Sequence, residues 1–127
     1  MDKLPVLISV TPTTGKGRGK KLGIPTFNFS IPRDLTLPHG VYAGWLITGD
    51  KRYQAAIHFG PRPQFTETDP SLETYLLDGV LNSKITDAQV VFTHFIRPIR
   101  SFPSVNAMLL QIKQDVRKIG VCLSTVS

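Results

Sequence analysis

Only one stretch of this chain repeats its apolar residues at helical spacing, and it comes last. Val105, Met108, Leu109, Ile112, Val116 and Ile119 recur three or four residues apart, which places them along one side of a helix. Everything earlier has another rhythm. Leu4 to Val10 carries Val6, Ile8 and Val10 on alternate positions, and Gly40–Thr48, Tyr53–Phe59, Ser71–Leu77 and Ala88–Ile96 are short runs of strand type. Ile24–Phe29 is a shorter apolar run, interrupted by Pro25. No helix-length segment separates these runs, so a parallel sheet with crossover helices is excluded. An antiparallel sheet remains. Many short strands joined by glycine- and proline-rich connections point to a small barrel. Gly49-Asp50 joins two of the runs as a hairpin turn. Ile31–His39, with Pro32 and Pro38, and Gly60–Pro70, with Pro61, Pro63 and Pro70, read as irregular chain. Ser104 can cap the helix and Gly120 can end it. The expected organisation is one domain over residues 1–120, its helix laid across an open part of the sheet, and a flexible tail over 121–127.

With 127 residues the chain is one domain in size and can bury roughly two thirds of its unfolded surface. Its formal net charge of +6 is unevenly spread. Lys16, Arg18, Lys20 and Lys21 alternate with glycines, and Arg97, Arg100, Lys113, Arg117 and Lys118 form a second group. Such a chain can meet nucleic acid, an anionic surface or a phosphorylated small molecule, or simply carry a solvated basic face. The aromatic and basic residues do not reproduce a known nucleic-acid-binding signature. Cys122 is the only cysteine, which excludes an internal disulfide and a cysteine metal cluster. No apolar run approaches a membrane span or a signal peptide, so a cytoplasmic setting without a membrane partner is expected.

Three groups of residues could carry chemistry. Gly15-Lys16-Gly17-Arg18-Gly19-Lys20-Lys21-Leu22-Gly23 can surround an anion with backbone N–H groups and nearby cations. It lacks the Gly-Lys-Ser/Thr of a Walker A loop, and a basic loop with no ligand has the same composition. Thr26 and Asn28 lie two apart, so in extended chain they share a face while Phe27 and Phe29 turn to the core. Their hydroxyl and amide oxygens suit a hard cation such as Mg²⁺, or bonds to nearby backbone. Glu73 lies in a strand with Tyr75 and Leu77 on its own face and Leu72 and Leu76 on the other. A carboxylate there can accept the proton of an attacking hydroxyl. Arg62, between Pro61 and Pro63, is a rigidly held cation that suits a phosphate, a carboxylate or a structural salt bridge. His39, His58 and His94 have no metal-like spacing, and Trp45 and the phenylalanines read as core.

Taken in order, these segments resemble one family. Gly17-Arg-Gly-Lys-Lys-Leu-Gly-Ile-Pro-Thr-Phe-Asn28 is similar to the GRG-x-x-LG-[FI]-PTAN signature of riboflavin kinases. Gly40-Val-Tyr-Ala43 resembles the family's GVYA strand, Phe59-Gly-Pro-Arg-Pro-Gln-Phe65 its IG-x-RPTF segment, and Leu72-Glu-Thr-Tyr-Leu-Leu-Asp78 its VE-x-HLLD strand. Phe95-Ile-Arg-Pro-Ile-Arg-Ser-Phe102 and Gln111-Ile-Lys-Gln-Asp115 resemble its closing strand and helix, so the likeness covers roughly residues 7 to 119.

The resemblance implies a six-stranded antiparallel Greek-key barrel with a C-terminal helix. It implies an enzyme that moves the γ-phosphate of ATP to the 5′-hydroxyl of riboflavin, giving FMN and ADP, with Mg²⁺ or another divalent cation. By position, Gly15, Lys16, Gly17, Arg18, Gly19, Lys21, Gly23 and Pro25 would cover ATP, and Thr26 and Asn28 would hold the metal and phosphates. Glu73 would be the catalytic base; Arg97, Arg100, Phe102, Met108 and Gln111 would enclose the flavin. The implied partners are small molecules, with no nucleic acid or membrane and a monomeric protein. The chain departs from the pattern at Phe27, Gln64, Tyr75, Ile99 and 79–84, where the family's DF-x-x-DLYGK continuation is replaced. Those departures spare Thr26, Asn28 and Glu73 and motivate the alternative, a non-catalytic flavin- or nucleotide-binding domain derived from such a kinase.

Overall fold

A computed structural model describes residues 4–13, 26–63, 68–77 and 85–124. Six strands form one antiparallel sheet: β1 (Val6–Val10), β2 (Thr26–Phe29), β3 (Gly40–Thr48), β4 (Lys51–Gly60), β5 (Ser71–Leu76) and β6 (Ala88–Arg97), followed by the helix α1 (Val105–Ser124). Their order across the sheet is β1-β6-β3-β4-β5-β2. The three consecutive strands β3, β4 and β5 form a meander, and β6 returns by a long connection to lie beside β3, which is a Greek key. The two edges then meet. Pro12 bridges Phe29, the Thr13 N–H donates to the Asn28 carbonyl at 2.9 Å, and the Ser30 N–H donates to the Thr11 carbonyl at 2.9 Å. This seam curls the sheet into the barrel expected from the sequence.

The β3–β4 hairpin turns at Gly49, whose φ of 61° suits the first central residue of a primed turn. Gly44 marks an irregularity between β3 and β6. There the β3–β6 register slips, and a Cβ on Gly44 would sit 1.8 Å from the Val91 carbonyl oxygen. Only glycine fits that approach.

Strand alternation sorts residues into two cores. Inside the barrel, Phe29, Tyr42, Leu46, Ile57, Phe59, Leu72, Val90 and Phe92 pack together. Each such side chain contributes about 1.5–3 kcal/mol on burial. On the outer face, Val41, Ala43, Ala56 and Tyr75 pack against Ile119 and Leu123 of α1. Phe95 is an exception to the reading of the phenylalanines as core. It is 45% exposed at the barrel rim, with one edge against Tyr42.

The helix starts as expected, with the Ser104 hydroxyl accepting the Ala107 N–H at 3.1 Å. Its end differs. It continues through Gly120 to Ser124, so residues 121–124, expected in a flexible tail, are its last turn. Leu123 is 1% exposed and packs with Trp45, Leu77 and Cys122 in the outer core. That burial outweighs the ~1 kcal/mol that a glycine costs inside a helix. Among the described residues no helix is long and apolar enough to cross a membrane.

Candidate active site

Register, which no single strand reveals, assembles the site. Asn28 lies opposite Glu73, Glu73 opposite His58, His58 opposite Val41, and Val41 opposite Arg97. These residues form one lateral row on the outer face. The neighbouring row runs Thr26, Tyr75, Ala56, Ala43 and His94. The structure thus brings Thr26 and Asn28 beside Glu73, on the face opposite Phe29, as the alternation requires.

Glu73 is largely covered, its side chain 12% exposed. Arg62 Nε donates to its Oε2 at 2.7 Å, and the Ser71 hydroxyl donates to the same oxygen at 3.1 Å. Arg62 Nη2 donates to the Tyr75 hydroxyl. Burial alone would raise the Glu73 carboxyl, but the Arg62 charge and its hydrogen bond, with help from His58 and Ser71, outweigh burial and hold it below the usual carboxylate range. Burial likewise raises the Tyr75 phenol, so it stays protonated despite Arg62. His58 is pushed down to about 4, first by burial and then by the Arg62 charge. Its Nε2 lies 2.9 Å from the Gly60 carbonyl, which can only accept, so Nε2 carries the proton of a neutral ring.

Beside this cluster lies an open cleft between the sheet, the loop after β6 and α1. Its walls are mostly apolar, with Val41, Ala56, Ile99, Phe102, Met108 and Ile112, and three arginines, Arg62, Arg97 and Arg100, reach its lining. Arg97 is anchored to Asp115 through Nε at 3.1 and 2.9 Å and Nη2 at 2.8 Å. Gln111 donates to Asp115 at 3.0 Å and accepts from Arg100, and both arginines lie over the Phe102 ring. Of the flavin-enclosing residues expected from the resemblance, Arg97, Arg100, Phe102 and Met108 line this cleft, and Gln111 supports it from behind. Gly15, Lys16, Gly17, Arg18, Gly19, Lys21, Gly23 and Pro25 lie outside the described residues, as do Gln64 and 79–84.

Sequence reasoning missed two partnerships. It treated Arg62 as a fixed cation without finding Glu73. It also passed over Asp115, which falls on the buried stripe of α1 with Met108, Ile119 and Leu123. An acid at helical spacing among buried apolar residues must be paired, and that was the available signal. The hydroxyl of Thr26 and the amide oxygen of Asn28 are hard donors suited to a divalent cation that keeps waters and substrate oxygens as its other ligands. No group of three or more His, Cys, Asp or Glu side chains that could hold a metal occurs among the described residues.

A carboxylate held beside oxygen donors, next to a mostly apolar cleft on the outer face of a small antiparallel barrel, is the kind of arrangement found at small-molecule sites. The family model for riboflavin kinase matches residues 3–123. Human riboflavin kinase is 28% identical, over 93% of this chain and 81% of the human protein. The bifunctional riboflavin kinase/FMN adenylyltransferase of Escherichia coli K12 is 30% identical over 87% of this chain, which spans only 36% of that longer protein. A solved structure described as a macrolide-efflux protein from Streptococcus pneumoniae superposes with a TM-score of 0.72 at 25% identity, over 87% of this chain and 37% of that one. The chain belongs to the riboflavin kinase family.

Proposed function

We propose that this protein transfers the γ-phosphoryl group of ATP to the 5′-hydroxyl of riboflavin, giving FMN and ADP. The observation that carries the reading is the register that sets Glu73 directly beside Asn28, and Tyr75, which lines the cleft, beside Thr26.

The cleft suits an aromatic ring because its walls are mostly apolar and its polar groups are few and charged. Met108, Ile112 and Phe102 would cover the ring faces, while Arg97 and Arg100 meet its polar edge. The ribityl chain would then run past Tyr75 toward Glu73. Glu73 orients the terminal hydroxyl and takes its proton as the oxygen attacks the γ-phosphorus. The bond from that phosphorus to the bridging oxygen breaks, and ADP leaves with the electron pair. A carboxylate paired with arginine is a weak base, but in a loose transition state the proton moves late and orientation matters more than basicity. Thr26 and Asn28 would hold a divalent cation. When bound, that cation neutralises charge on the phosphate oxygens. The glycine-rich segment 15–23 would cover the nucleotide. We further read the protein as a cytoplasmic monomer whose partners are these small molecules.

The test is chromatographic separation of FMN formed from riboflavin, ATP and Mg²⁺ by the wild type and by Glu73→Gln. FMN from the wild type, with loss in the variant, supports both the activity and the base. Flavin binding without FMN from the wild type would leave a binding domain in place of a kinase. Undiminished turnover by Glu73→Gln would remove the base assignment.

A further inference from the structure

We propose that Arg62 is the positioning residue of Glu73: its guanidinium, spanning the carboxylate and the Tyr75 hydroxyl, fixes Oε2 and leaves Oε1 to receive the alcohol proton. This rests on the kinase reading above and adds to it a residue that the base depends on.

Arg62 is held at both ends. Its backbone follows Gly60, which leaves β4 with a φ of 137°. The Gly60 carbonyl is held by the His58 ring at 2.9 Å and by the Ser71 hydroxyl at 3.3 Å, one group from each flanking strand. Pro61 and Pro63 on either side limit the remaining backbone freedom. The side chain is 13% exposed, and it bonds Glu73 through Nε and Tyr75 through Nη2. Its guanidinium carbon also lies 5.7 Å from the Tyr75 ring centre.

The result is asymmetric. Oε2 accepts from both Arg62 and Ser71, and from the described residues no hydrogen bond reaches Oε1. A free glutamate side chain turns about three bonds, and fixing one oxygen removes most of that freedom before substrate arrives. The groups facing the carboxylate are His58 from β4, Arg62 from the loop after it, Ser71 and Tyr75 on β5, and Asn28 from β2. Arg62 is the cationic side chain among these that bonds the carboxylate directly.

The experiment measures kcat and KM for FMN formation, beside the urea midpoint, for the wild type, Arg62→Gln, Arg62→Lys and Tyr75→Phe. Arg62→Gln is expected to lower kcat roughly 10- to 100-fold, with KM for riboflavin and ATP changed less than about threefold. Arg62→Lys restores the charge, and kcat is expected to recover only in part because an ammonium lacks the two-pronged fork. Tyr75→Phe, the milder change, lowers kcat a few-fold. A kcat left unchanged in Arg62→Gln, or activity that falls only as the folded fraction falls, would overturn the proposal. A second readout needs no turnover: a crystal structure of Arg62→Gln is expected to show the Glu73 carboxylate turned from its wild-type position, and a carboxylate unmoved would overturn the role. A wild type that makes no FMN would defeat the kinase reading, and the crystal structures would still decide whether Arg62 fixes Glu73.

Discussion

Two arginine–carboxylate pairs flank the cleft, with similar exposure and different wiring. Asp115 accepts on both oxygens, from Arg97 on each and from Gln111 as well. From the described residues, Glu73 accepts hydrogen bonds on one oxygen alone. The first carboxylate is saturated, and it joins the end of β6 to α1. The second keeps an oxygen in reserve. Residues of the same type and burial therefore divide into a fastener and a reactive group by how completely their hydrogen-bonding capacity is used.

The comparison can be broken by exchanging what each pair is expected to lose. Glu73→Gln should reduce kcat by roughly 100- to 10,000-fold, with a smaller fall in the urea midpoint than Asp115→Ala, because the amide keeps the side chain's shape and an oxygen to accept from Arg62. A large fall in stability with little loss of rate would reverse the assignment. Asp115→Ala should do the opposite. It strands the Arg97 guanidinium and is expected to cost about 3 kcal/mol by urea unfolding. Replacing both partners, as Arg97→Met with Asp115→Leu, should recover much of that stability, because an apolar pair of similar volume leaves no orphaned charge.

Acid sharpens the same contrast. His58 titrates at about 4 in the folded chain against 6.5 for a free ring, so between these values the unfolded state binds a proton that the native state does not. Stability is therefore highest above pH 6.5, falls as pH drops toward 4, and loses on the order of 3 kcal/mol over that window. Glu73, also held below its ordinary value, adds to the loss at still lower pH, where the unfolded chain takes up its proton first. Urea midpoints at neutral and acid pH measure the effect, and His58→Gln should flatten its upper part. The smallest expected change lies away from both pairs. A Cβ on Gly120 would meet only Leu77, at 3.9 Å, so Gly120→Ala should raise stability by about 0.5–1 kcal/mol, read as a higher thermal midpoint.

Much of this was legible in the sequence because it is local. Alternation in Ser71–Leu77 placed Glu73 with Tyr75, alternation in Thr26–Phe29 placed Thr26 with Asn28, and Ser104 marked the helix start. What brings Asn28 to Glu73 is register between distant strands, and each strand's pattern is compatible with several registers. The bond from Arg62 to Glu73 crosses an irregular stretch whose path no periodicity describes. The helix end was misread because Gly120 carries a stop signal in its residue type. The burial of Leu123 that overrides the signal depends on where Trp45 and Leu77 lie.

The order of strands has a consequence in time. β3 meets β4 across a two-residue turn, and such a hairpin closes within microseconds. β1, the first strand in the chain, has its full ladder only with β6, the last, so that Val10 waits for Ala88. Closing so long a stretch of chain makes folding slow, on the scale of milliseconds to seconds. During synthesis Val6, Ile8 and Val10 remain without their partner strand until β6 has left the ribosome. An apolar edge exposed for that long invites pairing between chains, so the yield of refolded protein should fall as its concentration rises.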